Sequence, residues 1–294
     1  MSSGSAPKIW LVTGASSGFG KAVVEYALAQ GDKVSAAARR ISALDDLTAK
    51  YPASQLIVLP LEVTDPGAIT GAFAKTVDAF GRIDVVYNNA GYGIFSEIEA
   101  TPDDVARSQF EVNFWGASNV SREAVRVFRD VNKPVGGRLL QASSNVSLIA
   151  NPLMAYYSAS KWALEGFSEA LSKELDPSWN IKIILLQIGS FATNAVPLAL
   201  QTQIPIHPAY AQLPPGSTVR AMREFLATQF VDGQPGDPIK AGREIYNIGL
   251  DESVETLRIP FGQDALSDAQ KRVDHIKESI EQTAKFSSDL KRSS

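Results

Sequence analysis

Short apolar runs alternate with stretches of helical spacing along most of the chain. Each apolar run is bounded by polar or glycine residues, which is typical of strands that are buried on both faces. The runs that predict strands are Lys8–Val12, Lys33–Ala38, Gln55–Leu61, Ile83–Tyr87, Arg138–Ser143, Asn180–Leu186 and Leu257–Pro260. Segments between them repeat apolar residues at helical spacing, as in KAVVEYALAQ before Gly31. This alternation predicts an α/β fold with a parallel sheet.

The helical segments differ in length and in their start signals. Asp65-Pro66 and Asp237-Pro238 each place a capping Asp before a Pro at the first helical position. The other predicted helices are Leu44–Ala49, a long one over Pro102–Asp130, the run WALEGFSEALSKEL after Lys161, a short piece at Ala221–Thr228, and an amphipathic helix over Asp264–Lys285.

The chain is predicted to form one domain over residues 1–294. Residues 1–7 are polar and are expected to form a mobile tail. Residues 194–236 lose periodicity and gather prolines, which is typical of a lid or binding loop inside a compact domain. We therefore interpret 194–236 as an insertion over a substrate site, and 263–294 as a C-terminal helix and tail.

A glycine-rich turn joins the first predicted strand to the first helix. It reads Thr13-Gly14-Ala15-Ser16-Ser17-Gly18-Phe19-Gly20. Glycines let the backbone approach a pyrophosphate, which then binds unpaired N–H groups at the positive end of the helix dipole. The spacing is G-x-x-x-G-x-G, whereas the common fingerprint is G-x-G-x-x-G. Strand, turn and helix together predict a dinucleotide site; a purely structural junction would need fewer glycines.

The composition argues against several classes of function. A formal net charge of -4 without clustered basic residues gives no electrostatic footprint for nucleic acid. With no cysteine and two histidines, a protein metal site and a Ser-His-Asp hydrolase are both disfavoured, and we expect metal-independent chemistry. No apolar run approaches the roughly 18 residues of a membrane span. We expect a soluble, cytoplasmic protein.

The pair Tyr157-x-x-x-Lys161 is a candidate for acid-base chemistry. At i,i+4 spacing on a helix, the phenol and the ammonium lie on one face. At about 5 Å and an effective dielectric near 20, the ammonium favours the phenolate by about 3 kcal/mol, or roughly 2 pKa units. Tyr157 could then exchange protons near neutral pH. A chance pair remains the alternative until other motifs support it.

Three motifs together resemble the short-chain dehydrogenase/reductase family. They are the glycine turn, Asn88-Asn89-Ala90-Gly91 after the fourth strand, and Tyr157 with Lys161 and Ser144 thirteen residues upstream of Tyr157. The resemblance covers roughly residues 8 to 262. It implies a doubly wound Rossmann fold with a seven-stranded parallel sheet and helices on both faces. A simple turn would explain the Asn and Gly residues equally well.

The family implies a role for each matched catalytic position. Tyr157 donates the proton, Lys161 holds the nicotinamide ribose and lowers the pKa of Tyr157, and Ser144 orients the substrate carbonyl. Asn113, inside the long helix, kinks that helix and holds a water that links Lys161 to solvent. The alternative for Asn113 is a solvated polar position on the helix surface.

The family also implies where the cofactor binds. The residues expected to contact it are Gly14, Ser16, Ser17, Gly18, Phe19, Gly20, Arg39, Glu62, Val63, Asn89, Ala90, Gly91, Tyr157, Lys161, Gly189 and Thr193. Two positions depart from the family pattern: Glu62 replaces the usual Asp beside the adenine, and Ile188 replaces the usual Pro before Gly189. The first leaves the adenine contact open, and the second predicts a less rigid loop entrance.

NADP(H) is the cofactor that the second strand favours over NAD(H). The position that carries a carboxylate in NAD-dependent relatives corresponds to Ala38, and Arg39 follows it. Without a carboxylate there is no repulsion of the 2′-phosphate, and the guanidinium is available to bind it. The alternative is that Arg39 and Arg40 are a solvated pair that begins a loop. Ser17 stands where some NADP-dependent relatives have a second basic residue, so selectivity is expected to be incomplete.

The reaction expected is reversible hydride transfer between a nicotinamide and an alcohol or carbonyl carbon. The layout is similar to the branch that contains steroid, retinol and broad carbonyl reductases. Side chains near the matched positions suggest an apolar pocket, although each is as compatible with ordinary core: Phe95, Ile149, Leu153, Met154, Phe191 and Val196. His207 lies in the predicted lid, where a solvated or packed role is favoured over substrate contact.

Two alternative functions are also compatible with the sequence. An NAD(P)-using epimerase or dehydratase of the same superfamily would usually carry a larger C-terminal substrate domain. A non-catalytic NADP-sensing protein would tend to lose the Tyr or the Lys. The partners expected are a small carbonyl or alcohol substrate, with no nucleic acid, and homo-oligomerisation is left open.

Overall fold

The computed structural model describes residues 6–193, 204–228 and 235–290. Its centre is one sheet of seven parallel strands in the order β3-β2-β1-β4-β5-β6-β7. The strands are β1 (Ile9–Thr13), β2 (Lys33–Ala38), β3 (Leu56–Pro60), β4 (Val85–Asn88), β5 (Gly137–Ala142), β6 (Ile181–Ile188) and β7 (Arg258–Phe261). The order reverses between β1 and β4. Ligands of open α/β sheets bind at such a reversal, outside the carboxyl ends of the strands.

Helices cover both faces of this sheet. The α-helices among the described residues are α1 (Gly18–Ala29), α2 (Asp45–Lys50), α3 (Pro66–Phe80), α4 (Asp103–Phe110), α5 (Ala117–Arg126), α6 (Ala155–Glu174), α7 (Pro208–Ala211), α8 (Thr218–Thr228), α9 (Pro238–Leu250) and α10 (Gln263–Thr283). The predicted doubly wound α/β fold is therefore confirmed.

The core has one layer on each side of the sheet because neighbouring strand residues face opposite ways. Trp10 and Val12 of β1 belong to the layer under α1 and α9, whereas Leu11 belongs to the layer under α3 and α5. All five residues of β1 are buried. This double burial explains why the strand is a continuous apolar run in the sequence.

The predicted elements match the observed ones except at their ends. The fourth strand is Val85–Asn88, two residues later than predicted at its start, and β6 continues to Ile188. That extension is satisfied by β7, because Leu185–Ile188 pairs with Arg258–Phe261. Helix α1 begins at Gly18, inside the glycine turn.

The segment predicted as one helix from Pro102 to Asp130 is helical but not uniform. Two π-helical stretches, Glu111–Gly116 and Val127–Val131, interrupt the α-helical hydrogen-bond pattern before and after α5. Such stretches are rare and frequently occur at functional sites. The first of them contains Asn113, so the helical irregularity lies at the residue where the family resemblance implied a kink.

Candidate active site

The glycine turn after β1 is shaped by close contacts with the end of β4. Gly14 has φ +65°, and a Cβ there would lie 2.9 Å from Asn89 Nδ2 and 3.0 Å from Ala90 Cα. A Cβ on Gly20 would lie 2.4 Å from the carbonyl oxygen of Gly14. Any larger residue at either position would have to displace backbone, so the turn requires glycine here.

Helix α1 starts with free backbone donors. Its N-cap, Ser17, makes no side-chain capping hydrogen bond, whereas Asp65 and Asp237 cap α3 and α9 with their carboxylates. The first N–H groups of a helix lack partners within the helix and attract anions. The turn therefore fits the pyrophosphate of a dinucleotide.

The segment Asn88–Gly91 holds this turn in place. The Thr13 hydroxyl accepts hydrogen bonds from the backbone N–H groups of Asn89 (2.9 Å) and Ala90 (3.0 Å). Asn89 Nδ2 donates to the carbonyl oxygens of Thr13 (3.0 Å) and Gly14 (3.3 Å). These long-range bonds would be absent in an isolated turn. The simple-turn alternative for these residues is therefore wrong.

Asn113 is buried and bound on both sides of its amide. Its Oδ1 accepts from the N–H of Tyr92 (3.0 Å), and its Nδ2 donates to the carbonyl oxygen of Tyr92 (2.8 Å) and to Ser160 Oγ (3.1 Å). The residue is 0% exposed. The alternative of a solvated position is wrong because the π-helical stretch directs this side chain inward.

Gly91 separates Asn113 from the Tyr157–Lys161 pair. A Cβ on Gly91 would lie 3.0 Å from Asn113 Oδ1 and 3.4 Å from Lys161 Nζ. The amide and the ammonium thus both lie close to Gly91, and a side chain at position 91 would crowd the Asn113 amide. The structure brings together these two residues, 48 positions apart in the sequence.

Tyr157 and Lys161 lie on the first turns of α6, where their i,i+4 spacing places them side by side. Lys161 Nζ is 5.9 Å from the centre of the Tyr157 ring and donates to the carbonyl oxygen of Ala142 at the end of β5 (2.7 Å). Burial lowers the pKa of Lys161 to about 8, and the charge of Glu165 opposes that shift.

The pKa of Tyr157 moves in the direction opposite to the prediction. Burial raises it above its ordinary value, and a hydrogen bond with Ser144 offsets only part of the increase. The Coulomb argument counted the lysine charge and omitted the loss of solvent around the phenol, which disfavours the phenolate. Tyr157 is consequently a protonated phenol at neutral pH.

Ser144 lies two residues after the end of β5 and caps the start of a short 3₁₀ turn, Asn145–Ser147. Its Oγ accepts from the N–H of Val146 (3.4 Å). The hydrogen bond between Ser144 and the Tyr157 phenol places these two side chains together from different elements. The predicted catalytic residues come from three sources: the end of β5, the start of α6 and the π-helical stretch before α5.

A cleft lies beyond the carboxyl ends of β2 and β3, on the same edge of the sheet as the glycine turn. It has a volume of about 480 Å³ and is lined by Arg39, Glu62, Thr64, Tyr92, Ser108, Glu111 and Val112. Burial raises the pKa of the Tyr92 phenol, which the charge of Arg39 lowers and that of Glu62 raises. Val63 is buried, packed against Gly116. The structure therefore gathers Arg39 and Glu62 at one site and adds Tyr92, which the sequence did not single out.

The corner after β6 closes over the glycine turn. Thr193 is close to Gly18, since a Cβ on Gly18 would lie 3.6 Å from the Thr193 side chain. The Gly189 N–H donates to the Phe261 carbonyl oxygen (2.9 Å), and the Ser190 N–H donates to Asp264 Oδ2 (2.7 Å). These bonds fix the backbone of the corner next to Ile188, and the less rigid entrance expected there stays a prediction. In the sequence, Asp264 stood out only as the first residue of the predicted C-terminal helix, and its contact with Ser190 was not predicted.

The predicted pocket residues separate into two groups. Phe95 lies near Tyr157 across Gly93, because a Cβ on Gly93 would be 3.1 Å from the Phe95 ring and 3.6 Å from that of Tyr157. The Ser96 N–H donates to the carbonyl oxygen of buried Leu153 (2.9 Å), which joins the two loops that flank Tyr157.

The other predicted pocket residues are less well supported. Phe191 is half-buried and packs against Phe19 and Phe261 at the edge of the core. Ile149 and Met154 are half-buried, and Val196 lies outside the described residues. His207 caps the short helix α7 by accepting from the Ala209 N–H (3.3 Å), which agrees with a packed role.

The described residues form neither a metal-binding cluster nor a helix that could cross a membrane. Within residues 6–193, 204–228 and 235–290, three or more His, Asp or Glu side chains are nowhere placed to hold a metal ion. Over the same ranges, every helix is too short or too polar to cross a membrane.

Comparison with known proteins gives one family. The family model described as short chain dehydrogenase matches residues 8–203. An uncharacterised oxidoreductase of Schizosaccharomyces pombe is 36% identical over 281 residues, which cover 95% of this chain and 90% of that protein.

Solved structures agree with the sequence relatives. A short-chain dehydrogenase from Streptomyces avermitilis is 32% identical with a TM-score of 0.83, and the match covers 98% of this chain and 100% of that one. A short chain dehydrogenase/reductase from Burkholderia phymatum in complex with NAD is 22% identical with a TM-score of 0.74, covering 93% and 95%, and shares the fold. The chain therefore belongs to the short-chain dehydrogenase/reductase family of oxidoreductases.

Proposed function

We propose that this protein is an NADP(H)-dependent oxidoreductase that interconverts a ketone or aldehyde and the corresponding alcohol by hydride transfer. The observation that carries the proposal is the convergence of Ser144, Tyr157, Lys161 and Asn113 beside the glycine turn. Groups that hold and move a proton thus lie next to a site that fits a dinucleotide. When bound, the nicotinamide supplies or accepts the hydride.

Each catalytic side chain has a role that follows from its surroundings. Tyr157, a protonated phenol, transfers its proton to the oxygen that develops negative charge during reduction. Ser144 donates a hydrogen bond to the same oxygen, which stabilises the charge in a site shielded from water. Lys161 holds the ribose and favours proton loss from Tyr157 by its charge.

Asn113 completes the relay that returns a proton to Tyr157. The supporting observation is that the Asn113 amide and the Lys161 ammonium both lie close to Gly91. Two polar groups this near each other are the kind of partners that a bridging water needs. Protons can then pass from solvent to Lys161 and on to the phenol.

The cofactor is assigned along the carboxyl edge of the sheet. The pyrophosphate binds the turn from Gly14 to Gly20, with donors at Ser16, Ser17, Gly18 and Phe19. Asn89, Ala90, Gly91, Gly189 and Thr193 border the nicotinamide half, and Arg39, Glu62 and Val63 border the adenosine half. Arg39 is exposed and, within the described ranges, forms no ion pair with an acid, so its guanidinium is available to a 2′-phosphate.

The substrate is a small and mainly apolar carbonyl compound. Phe95 and Leu153 flank Tyr157, and α7 and α8 belong to the segment 194–236, which we assign as the loop that covers the substrate. Part of that segment lies outside the described residues. Its described part contacts the loop after β4, since Tyr210 donates to Glu99 (2.6 Å) and Arg223 pairs with Glu97.

The test is net reduction of a carbonyl, followed as loss of the absorbance of NADPH. A panel of acetophenone, cyclohexanone, benzaldehyde and decanal covers aromatic and aliphatic ketones and aldehydes. Turnover of any of them supports a carbonyl reductase. Cofactor binding without turnover of the panel would favour a sensor, and conversion of a sugar nucleotide without net loss of NADPH would favour an epimerase.

Tyr157→Phe then tests the assigned proton donor, with Tyr156→Phe as its matched control. Tyr156 is the adjacent half-buried tyrosine. We expect Tyr157→Phe to lower kcat by about 10²- to 10⁴-fold, the usual worth of acid-base catalysis, with NADPH affinity nearly unchanged. Tyr156→Phe should be close to wild type. Retention of more than about a tenth of kcat in Tyr157→Phe contradicts the assignment.

A further inference from the structure

Glu165 is a buried carboxylate one helical turn beyond Lys161 on α6. It is 7% exposed. Its Oε1 accepts hydrogen bonds from Ser143 Oγ (2.7 Å) and from Ser147 Oγ. These two serines lie on either side of Ser144, at the end of β5 and at the end of the following 3₁₀ turn. One carboxylate oxygen therefore holds both ends of the turn that carries Ser144.

The rest of the Glu165 carboxylate is bound to the last two strands. Gln187 Nε2 of β6 donates to both oxygens (3.0 and 3.1 Å), and Arg258 Nε of β7 donates to Oε2 (2.8 Å). A buried carboxylate is tolerated only when its charge is paired and its lone pairs are satisfied. Arg258 and Gln187 meet that requirement, so the carboxylate is a fixed acceptor for the two serine hydroxyls.

A role limited to holding β7 does not account for this arrangement. Glu169, the next turn of α6, also pairs with Arg258 (2.7 Å), and its side chain is 38% exposed. Glu169 makes no bond to Ser143 or Ser147 among the interactions of the described residues. Anchoring Arg258 thus needs no contact with the serines, and only Glu165 links the arginine to the turn of Ser144.

We infer that Glu165 is a positioning residue that fixes the Ser144 hydroxyl against Tyr157 by clamping Ser143 and Ser147 from both sides. This inference rests on the proposed carbonyl chemistry, in which Ser144 must meet the reacting oxygen. Its physical basis is pre-organisation, since a displacement of a catalytic group by about 1 Å can cost about 10²-fold in rate. The charge of Glu165 also supports the protonated state of Lys161.

The experiment compares Glu165→Gln with Glu169→Gln as its matched control, in the full-length protein. Glu165→Gln keeps the shape but presents an NH₂ group to donors that need an acceptor. We measure kcat and the KM for NADPH with the carbonyl of the panel that wild type reduces best. We also measure hydrogen exchange in residues 144–149, where the amides of Ser147, Leu148 and Ile149 bond within the turn.

The inference expects Glu165→Gln to lower kcat by about 10- to 100-fold, the range seen when a supporting side chain is removed. Measured well below pH 8, where Lys161 keeps its proton, the KM for NADPH should stay within about twofold, because Glu165 itself makes none of the proposed cofactor contacts. Exchange in residues 144–149 should become faster. Glu169→Gln should match wild type in all three measurements. Equal effects of the two variants, or wild-type kcat and exchange in Glu165→Gln, would overturn the inference.

A double variant, Ser143→Ala with Ser147→Ala, decides the matter if Glu165→Gln does not fold. It removes both serine hydroxyls from Glu165, together with the contact between the Ser147 hydroxyl and the Ser144 carbonyl oxygen (2.6 Å), and keeps the Glu165–Arg258 pair. Faster exchange in residues 144–149 with a lower kcat is expected. Wild-type behaviour of this variant overturns the inference. Hydrogen exchange needs no substrate, so it reports on the clamp even if wild type reduces no carbonyl. In that case the proposed function fails separately.

Discussion

Arg39→Ala is the sharpest test of cofactor preference. The guanidinium follows β2, is exposed, and lies with Tyr92 and Glu62 at the cleft beyond β2 and β3. In water at about 4 Å, one pair of unit charges is worth about 1 kcal/mol. A phosphate carries about 1.5 to 2 negative charges near pH 7, so removal of Arg39 should weaken binding of the 2′-phosphate by about 1.5–2 kcal/mol. That corresponds to about 10- to 30-fold in kcat/KM for NADPH.

The assay measures kcat/KM with NADPH and with NADH for wild type, Arg39→Ala and the matched control Arg40→Ala. Wild type should favour NADPH at least about tenfold, since a charge-assisted hydrogen bond is worth about 1.5–3 kcal/mol. Arg39→Ala should lose this preference while its use of NADH stays unchanged. Arg40→Ala removes an equally exposed charge and should behave like wild type.

Salt provides an independent check on the same reasoning. An exposed ion pair is screened as the Debye length shrinks from about 10 Å at 0.1 M to about 3 Å at 1 M. The NADPH preference of wild type should therefore decrease with ionic strength, and that of Arg39→Ala should not. Equal use of both cofactors by wild type, or an unchanged preference in Arg39→Ala, would refute the assignment.

Reversal of the preference requires a carboxylate at position 38 as well. Ala38 is 2% exposed and belongs to the core layer under α1. Ala38→Asp combined with Arg39→Ala should favour NADH, but the carboxylate is introduced at a site with little solvent and should also lower stability. A thermal melt of the double variant with and without NADH separates the two effects.

Three further predictions follow from the site. In kcat/KM for reduction, activity should fall above about pH 8 because Lys161 loses its proton there; a profile flat to pH 10 contradicts this. Gly91→Ala should lower kcat by about tenfold because its methyl would crowd the Asn113 amide and the Lys161 ammonium. Gly71→Ala, which has open space around it, should be neutral in the same assay. Arg223→Met should speed hydrogen exchange in residues 218–228, and bound NADPH with substrate should slow exchange there in wild type; identical exchange in all states would mean a static insertion.

The sequence predicted the sheet well because its strands are buried on both faces. A short apolar run such as Ile9–Thr13, which lies between a polar tail and a glycine turn and has all five residues buried, is readily recognised as a strand. Cap signals were equally local, and Asp65 and Asp237 cap their helices as predicted. Strand ends were less accurate, since Ile188 is extended only because β7 pairs with it.

The supporting contacts of the site could not be predicted in the same way. Asp264 holds the corner at Ser190 from 74 residues away, and Arg258 reaches Glu165 from 93 residues away. Nothing in the local pattern around these residues distinguishes them from the other charged positions of amphipathic helices and strand ends. Only the three-dimensional arrangement shows that Asp264 holds the corner after β6 and that Arg258 shares Glu165 with Ser143 and Ser147.

The protonation of the Tyr157–Lys161 pair favours one direction of the reaction. Burial raises the pKa of the phenol and lowers that of the ammonium to about 8, so near pH 7 the pair is a neutral phenol beside a cation. That state can give a proton to a developing alkoxide, as carbonyl reduction requires. Alcohol oxidation instead needs a phenolate, which forms more readily at higher pH. The ammonium that would stabilise this phenolate is lost in that same range. For the proposed carbonyl chemistry, this protonation state favours reduction at neutral pH, and Glu165, by supporting the ammonium, is expected to widen the pH range in which reduction can occur.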